Sequence, residues 1–265
     1  MKKKKSEFDE FKKKALRPKE SIISMYTITP ITIRLAYFIK KKKLNISPNE
    51  ITLSGLFFFS PLTILFLFIA PILNLRILYL FAAISFYMVL FVDWLDGQVA
   101  RGLNKSSDKG AFLDMIADRV AIIIFFVVIF SIGLWTNNII LLTGSVFLFV
   151  LKTFHLMVIT KLYYVKERSK GAKEVAPVFS GLPALNSMGI LKINIILQKL
   201  NKIFKIKRWE PTINPPEQYS LTIMLPVLLV FFNLETFATF LLYFYLFAFS
   251  FFFLYRIKNM MKEYV

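Results

Sequence analysis

Four aspartates in a strongly apolar part of the chain are the residues whose type and spacing indicate chemistry. They are Asp93, Asp96, Asp114 and Asp118. An uncompensated carboxylate in a membrane-like setting is costly, so the four side chains are expected to converge on positive charge. Carboxylate oxygens suit hard divalent cations such as Mg²⁺ or Mn²⁺. Two such cations could hold a diphosphate during an in-line displacement, while a partly free carboxylate deprotonates the attacking hydroxyl.

The spacing places these acids on the faces of two helices. The first face carries two acids and two small residues at i, i+3, i+4 and i+7, namely Asp93, Asp96, Gly97 and Ala100. Asp114 and Asp118 share a face of the next helix, and the short polar loop at 102–109 makes the two helices antiparallel neighbours. The small residues leave space for a phosphate or nucleotide against the backbone, and Gly110 permits close helix approach. The acids are therefore expected to meet across the gap between the helices.

The composition indicates which class of protein must position these residues. Of the 265 residues, 57% are hydrophobic, and the mean hydropathy of +0.60 is too apolar for an ordinary soluble domain. The apolar residues come in long blocks, so we predict an all-α fold, a polytopic bundle of membrane helices. The chain has no cysteine, which excludes disulfides, zinc–thiolate sites and iron–sulfur clusters.

Apolar blocks of bilayer-spanning length predict six transmembrane helices. We expect them at 51–72, 77–101, 110–135, 139–163, 217–233 and 235–256, and one long broken segment is the alternative to the last two. An N-terminal interfacial amphipathic helix is predicted at 31–43, which is too short to span a bilayer and ends in four lysines. Ser47 is expected to cap the first span, with Pro48 at the first helical position and Glu50 completing a capping box.

The basic residues predict the orientation of the chain in the membrane. The net charge is +18, and its basic stretches are 1–50, 101–109, 165–208 and 256–262. With six spans these all lie on one side, whereas the opposite loops hold only Arg76, so both termini are expected on the cytoplasmic side of the cytoplasmic membrane. The chain then divides into a basic N-terminal segment over 1–46 and a membrane catalytic domain over 47–265 with a cytoplasmic insertion at 165–219.

Membrane lipids are the expected partners of this charge, because basic stretches beside spans attract anionic headgroups. Nucleic-acid binding is the competing interpretation of a basic chain. It is not expected here, since no folded basic face or aromatic platform accompanies the charge outside the membrane.

The spacing of the motif resembles that of a known family, the CDP-alcohol phosphotransferases, which share D-x2-D-G-x2-A-R-x8-G-x3-D-x3-D. The matching positions are Asp93, Asp96, Gly97, Ala100, Arg101, Gly110, Asp114 and Asp118, with every spacing intact. Upstream, the run from Ser47 to Thr52 is similar to the Pro-Asn-x-x-Thr sequence at the start of the family's first span. A match of eight fixed positions is specific, and the six predicted spans fit the same family.

The resemblance implies an activity and a role for each matched position. Family members catalyse attack of an alcohol hydroxyl on the β-phosphate of a CDP-linked group, with release of CMP, in the synthesis of phospholipids or phosphodiester headgroups. By resemblance, the ligands of two divalent cations are Asp93, Asp96, Asp114 and Asp118, with Asp118 also the general base. The positions that contact or shape the site of the CDP moiety are Gly97, Ala100, Arg101, Asn49 and Thr52. The resemblance also implies a homodimer.

Other interpretations of these residues remain open. The acids could serve a cation- or proton-coupled transporter, with Arg101 and Arg119 neutralising two of them. Lys152 and His155, one helical turn apart in the fourth predicted span, are either a pocket for a polar or phosphorylated acceptor or packing and interface residues. Arg119 is either a ligand of an acceptor phosphate or a structural counter-ion. The acceptor stays open among glycerol phosphate, inositol phosphate, serine and other alcohols.

Overall fold

The computed structural model describes residues 7–17, 20, 24–169 and 220–264, and every regular element in this part of the chain is a helix. The all-α prediction is therefore confirmed. The helices are α1 (Glu7–Ala15), α2 (Thr29–Lys41), α3 (Pro48–Ser54), α4 (Ser60–Leu73), α5 (Ile77–Leu103), α6 (Asp108–Trp135), α7 (Ile139–Ser169), α8 (Leu225–Phe231) and α9 (Glu235–Tyr264). Wider π-helical turns lead into α2, α4 and α8 at Ser24–Ile28, Gly55–Phe59 and Ser220–Met224.

Three helices in the described part of the chain are long and apolar enough to cross a membrane. They are Pro48–Leu73, which comprises α3, its π-helical turn and α4, followed by Ile77–Leu103 and Asp108–Trp135. The later apolar helices are shorter within the described residues, at Ile139–Phe154, Ser220–Phe231 and Glu235–Phe251. The chain is therefore a helical membrane protein, as the composition predicts.

Capping interactions explain where the helices nearest the acids begin. The Ser47 hydroxyl accepts a hydrogen bond from the Glu50 N–H at 3.2 Å, and the Glu50 carboxylate accepts one from the Ser47 N–H at 2.8 Å. This pair is the predicted capping box. The Ser107 hydroxyl accepts a hydrogen bond from the Gly110 N–H at 3.1 Å. Because Ser107 caps α6, the helix begins at Asp108 and not at Gly110 as the sequence predicts.

Left-handed backbone conformations explain where two helices end. Asn104 follows α5 with φ 55°, and Lys43 follows α2 with φ 51°. A residue in this conformation cannot continue a right-handed helix. The helix predicted at 31–43 therefore occupies Thr29–Lys41.

The π-helical turn Gly55–Phe59 divides the first long helix into α3 and α4. Polar side chains bond to carbonyl groups around this wider turn. The Ser60 hydroxyl donates to the Gly55 carbonyl at 2.9 Å, and the Ser85 hydroxyl of α5 donates to the Phe59 carbonyl at 2.9 Å. The bond from Ser85 ties the turn to α5.

A buried polar network joins the three long helices away from the acids. Tyr79 of α5 and Ser131 of α6 are both fully buried. The Tyr79 hydroxyl lies 3.0 Å from the Ser131 hydroxyl oxygen, and Ser131 in turn donates to the Leu67 carbonyl of α4 at 2.5 Å. Apolar side chains pack around the network, including Phe86 and Ile129. A directional network within an apolar core fixes how the three helices align.

Replacing Tyr79 with phenylalanine is expected to lower the free energy of unfolding by about 1–2 kcal/mol, because one buried hydrogen bond is lost without change of shape. The thermal midpoint of the purified protein in detergent measures the effect. Tyr26→Phe is the matched control, since the ring of Tyr26 is 66% exposed. Equal midpoints for the Tyr79 variant and the wild type would show that the network adds no stability.

Helices α1 and α2 pack on the C-terminal half of α5, the half that carries Asp93 and Asp96. Their apolar residues form a second core with those of α3 and α5: Phe11, Ala15, Ile33, Ala36, Ile39, Ile51, Val92, Leu95 and Val99. Gly102 of α5 makes the closest approach possible, because a Cβ atom at this position would lie 2.3 Å from the ring of Phe11. The N-terminal helices are thereby fixed beside the acids.

Candidate active site

A cavity of about 190 Å³ opens between α3, α5 and α6 at the C-terminal end of α5. It is bordered by all five positions predicted for the CDP moiety, Asn49, Thr52, Gly97, Ala100 and Arg101. Asp96 of α5 and Asp114 of α6 border the same cavity. The cavity thus brings together residues of α3 and residues from both halves of the aspartate motif.

A second, smaller cavity lies next to the first and contains the other two acids. Asp93 of α5 and Asp118 of α6 border it, together with Gly55 and Ala117. Each cavity is thus bordered by one acid of α5 and one acid of α6, and Thr52 borders both cavities.

The four carboxylates differ in their exposure to solvent. Asp96 is buried at 8% exposure, Asp93 is half-buried, and both Asp114 and Asp118 are exposed. The acids of α6 are therefore covered less by neighbouring side chains than the acids of α5 are. The carboxylate of Asp93 lies within electrostatic range of the other three acids.

Thr52 connects α3 to the buried carboxylate of α5. Its hydroxyl lies within hydrogen-bond distance of the Asp96 carboxylate and of the Pro48 carbonyl, the latter at 3.1 Å. A hydroxyl carries one proton, so it donates to one of these acceptors at a time. The bond to Asp96 holds a buried carboxylate in one orientation, which is a role that the sequence does not reveal for Thr52.

Glycine at position 110 brings α6 close to α3. A Cβ atom there would lie 3.3 Å from the side-chain oxygen of Asn49, tighter than most such contacts. The predicted close approach therefore occurs, and the partner of α6 at this point is α3.

The acids provide a donor set that suits a hard divalent cation. Carboxylate and hydroxyl oxygens are the ligands that Mg²⁺ and Mn²⁺ prefer. Within residues 7–17, 20, 24–169 and 220–264, no lysine or arginine forms an ion pair with Asp93, Asp96 or Asp114. Across the same residues, no three acidic or histidine side chains are already arranged to close around one ion. The chemistry of the site thus fits divalent cations, with donors from α5 and α6 at both cavities.

Arg101 has a structural contact in addition to its place at the cavity. Its Nε donates to the Ala15 carbonyl of α1 at 2.8 Å. Its Nη1 lies beside Gly97, where a Cβ atom would be 3.0 Å away. Arg101 therefore connects the N-terminal helix to the cavity wall.

Several residues at the larger cavity were not predicted from the sequence. They are Arg17, Pro48, Lys105, Ser106, Ser107 and Ala111. Lys105, Ser106 and Ser107 lie between the two halves of the motif and Ala111 lies within the second half, so their position could have been inferred from the motif. Arg17 carries no such signal, because it belongs to a long basic stretch whose members look alike.

The residues predicted for an acceptor pocket do not border these two cavities. Lys152 of α7 and Arg119 of α6 are both half-buried, and neither contributes to the cavity walls described above. The side chain of His155 lies outside the described residues. The acceptor pocket therefore stays a prediction.

Comparison with known proteins identifies the family. A family model described as CDP-alcohol phosphatidyltransferase matches residues 45–250. A CDP-diacylglycerol–glycerol-3-phosphate 3-phosphatidyltransferase of Wigglesworthia glossinidia brevipalpis is 43% identical over 44 residues, which are 17% of this chain and 24% of the relative. The protein of the same description in Escherichia coli strain K12 is 44% identical over 48 residues, 18% of this chain and 26% of the relative.

An uncharacterized protein of Aquifex aeolicus is 40% identical over 77 residues, 29% of this chain and 35% of that protein. The chain thus spans between a quarter and about a third of the length of these relatives. The family match itself covers most of the chain and includes every position of the aspartate motif. The chain therefore belongs to the CDP-alcohol phosphatidyltransferase family.

Proposed function

We propose that this protein is an enzyme that transfers a substituted phosphate group from a CDP-linked donor to an alcohol hydroxyl and releases CMP. The observation that carries the proposal is that motif residues from α3, α5 and α6 border one cavity. The names of the relatives from Wigglesworthia and Escherichia describe phosphatidyl transfer from CDP-diacylglycerol to glycerol 3-phosphate. For this chain, the donor is CDP-diacylglycerol or a CDP-alcohol, and the role is in synthesis of phospholipids or phosphodiester headgroups.

Two divalent cations are the proposed cofactors, either Mg²⁺ or Mn²⁺. The family generally depends on divalent cations. The residues proposed to hold them are Asp93, Asp96, Asp114 and Asp118. Such cations supply charge neutralisation of the donor's diphosphate.

Each side chain of the site has a separate proposed role in the transfer reaction. Asp118 removes the proton of the acceptor hydroxyl, whose oxygen forms a bond to the β-phosphorus of the donor. The bond from that phosphorus to the oxygen bridging the two phosphates breaks, and CMP leaves with the bridging oxygen. Thr52 holds Asp96 in place, and the small Gly97 and Ala100 leave room for the cytidine diphosphate part.

We also propose six membrane spans with both termini on the cytoplasmic side. Two contacts support this topology. Arg76, between α4 and α5, forms an ion pair with Glu235 at the start of α9 at 2.5 Å. Asn138, before α7, donates to the hydroxyl of Tyr243 in α9 at 2.5 Å. These contacts support a topology in which three interhelical connections lie at one end of the bundle, opposite the cavity.

Helix α2 is proposed to lie along the membrane interface. Its buried side packs on α5, while Ile31, Leu35 and Phe38 form an exposed apolar stripe at i, i+4 and i+7. Such a stripe, followed by lysines, suits a helix at the headgroup boundary. Three further features are proposed on the sequence alone. They are the division of the chain between residues 46 and 47, the cytoplasmic insertion at 165–219 and a homodimer. Residues 170–219 lie outside the described part of the chain.

The proposal is tested by measuring CMP release from the purified protein in detergent. CDP-diacylglycerol and CDP-linked headgroups are each combined with glycerol 3-phosphate, inositol phosphate and serine, with Mg²⁺, with Mn²⁺ or with a chelator. We expect CMP release that requires a donor, an acceptor and a divalent cation. Absence of CMP from every combination, together with cation flux into vesicles containing the protein, would favour the transporter interpretation instead.

A further inference from the structure

The N-terminal helix α1 is firmly attached to the wall of the larger cavity. Phe11 and Ala15 are buried against α5, where Gly102 accommodates the ring of Phe11. The carbonyl of Ala15 accepts a hydrogen bond from Arg101 at 2.8 Å. At the start of α1, Lys40 of α2 forms an ion pair with Glu7 at 3.2 Å. These contacts fix the end of α1, and with it the residues that follow directly.

Arg17, two positions after the end of α1, is oriented by a rigid aromatic ring. Its guanidinium carbon lies 5.1 Å from the ring centre of Trp94, a distance typical of a cation–π contact. The Trp94 indole donates to the Thr29 hydroxyl at 2.9 Å, and that hydroxyl donates to the Glu20 carboxylate at 3.0 Å. The hydrogen bond of the indole N–H fixes the orientation of the Trp94 ring. The guanidinium of Arg17 therefore packs against an aromatic face of defined position.

The guanidinium of Arg17 retains its capacity to bind an anion. Arg17 is exposed and borders the larger cavity with Asp96, Gly97 and Arg101. Its charge acts on Asp93 and on Arg101. In the described part of the chain it forms no ion pair and no side-chain hydrogen bond, in contrast to Arg101, whose Nε is bonded to α1.

We propose that Arg17 is a phosphate-binding residue of this cavity, presented by α1 either to the diphosphate of the CDP-linked donor or to the phosphate of a phosphorylated acceptor. This inference rests on the proposed function. A guanidinium presents several N–H donors in a planar fork that matches two phosphate oxygens at once. Trp94 contacts the guanidinium through its ring, so this contact leaves the N–H donors available for a phosphate. Two of the acids proposed to hold cations, Asp96 and Asp114, and the guanidinium that holds phosphate oxygens would then border the same cavity.

The test compares ligand binding by the wild type, Arg17→Gln and Arg17→Lys. Calorimetric titrations with CDP and with inorganic phosphate are carried out on the full-length protein in detergent with Mg²⁺. We expect Arg17→Gln to weaken binding of one of the two ligands about 10- to 100-fold, the loss that follows from removing a charge-assisted hydrogen bond. Arg17→Lys should recover part of the loss, because it restores the charge but not the fork. Weaker binding of CDP assigns Arg17 to the donor, and weaker binding of phosphate alone assigns it to the acceptor.

The control variant is Lys13→Gln, which removes one positive charge from an exposed position of the same helix. Its affinities and those of the wild type should agree. Equal affinities of Arg17→Gln and the wild type for both ligands would overturn the inference while leaving the proposed function intact. A loss of the same size in Lys13→Gln would also overturn it, since the effect would then come from net charge. A wild-type protein that binds neither ligand and releases no CMP would overturn the proposed function and this inference together.

Discussion

Asparagine in place of Asp118 is expected to slow transfer by at least about 100-fold while leaving the protein folded. The side chain lies on the exposed side of α6 at the smaller cavity, so an amide of nearly the same shape leaves the packing unchanged. An amide cannot take up the proton of the acceptor hydroxyl. Loss of a general base slows a reaction by a factor of about 100 to 10,000. The measurement is the initial rate of CMP release at saturating donor and acceptor, together with the thermal midpoint of the variant.

The matched control for this variant is Asp108→Asn. Asp108 is an exposed acid in the first turn of the same helix and borders neither cavity. Its replacement should leave the rate of CMP release unchanged. Turnover of Asp118→Asn at the wild-type rate would remove Asp118 from the role of base. An unchanged rate combined with weaker binding of Mg²⁺ would assign Asp118 to cation binding alone.

Leucine in place of Gly97 is expected to eliminate CDP binding without reducing stability. Gly97 borders the larger cavity, so a branched side chain there would fill the space proposed for the nucleotide. The nearest atoms to a new Cβ are those of the Arg101 guanidinium, which is the end of a flexible side chain. Leucine is also a better helix former than glycine by up to about 1 kcal/mol, which offsets any local strain in α5.

Calorimetric titration with CDP in the presence of Mg²⁺ measures this effect, and Gly97→Ala should show an intermediate affinity. Ser54→Leu is the control, because it adds similar bulk at an exposed position of α3 outside both cavities. CDP affinity of Gly97→Leu equal to that of the wild type would show that the nucleotide binds elsewhere.

Much of the site could be predicted from the sequence because its residues follow a helical period. Asp96, Gly97 and Ala100 share one face of α5, and the structure places that face on the larger cavity. Local signals were equally informative at the start of α3, where Ser47 and Glu50 form the predicted capping box. Patterns of this kind depend only on residues that are close in the sequence, so they can be recognised without knowing how the helices pack.

Arg17 and Thr52 show what could not be predicted. The position of Arg17 depends on the packing of Phe11 against Gly102, a contact between distant residues that has no periodic signature. Thr52 was expected at the nucleotide, but whether its hydroxyl points to a ligand or to Asp96 is decided by its rotamer and by the approach of α3 to α5. The distribution of the acids between two cavities also depends on how the helices approach one another. These properties arise only when helices pack.

The π-helical turn at Gly55–Phe59 has a consequence for how the chain can vary in length. Successive residues of an α-helix are rotated by about 100° around the axis, so one added or deleted residue changes the angular phase of everything beyond it. Thr52 must point towards Asp96, while the Leu67 carbonyl must point towards Ser131. The turn sets the angle between these two directions. The stretch from Thr52 to Leu67 is therefore expected to tolerate substitutions far better than insertions or deletions.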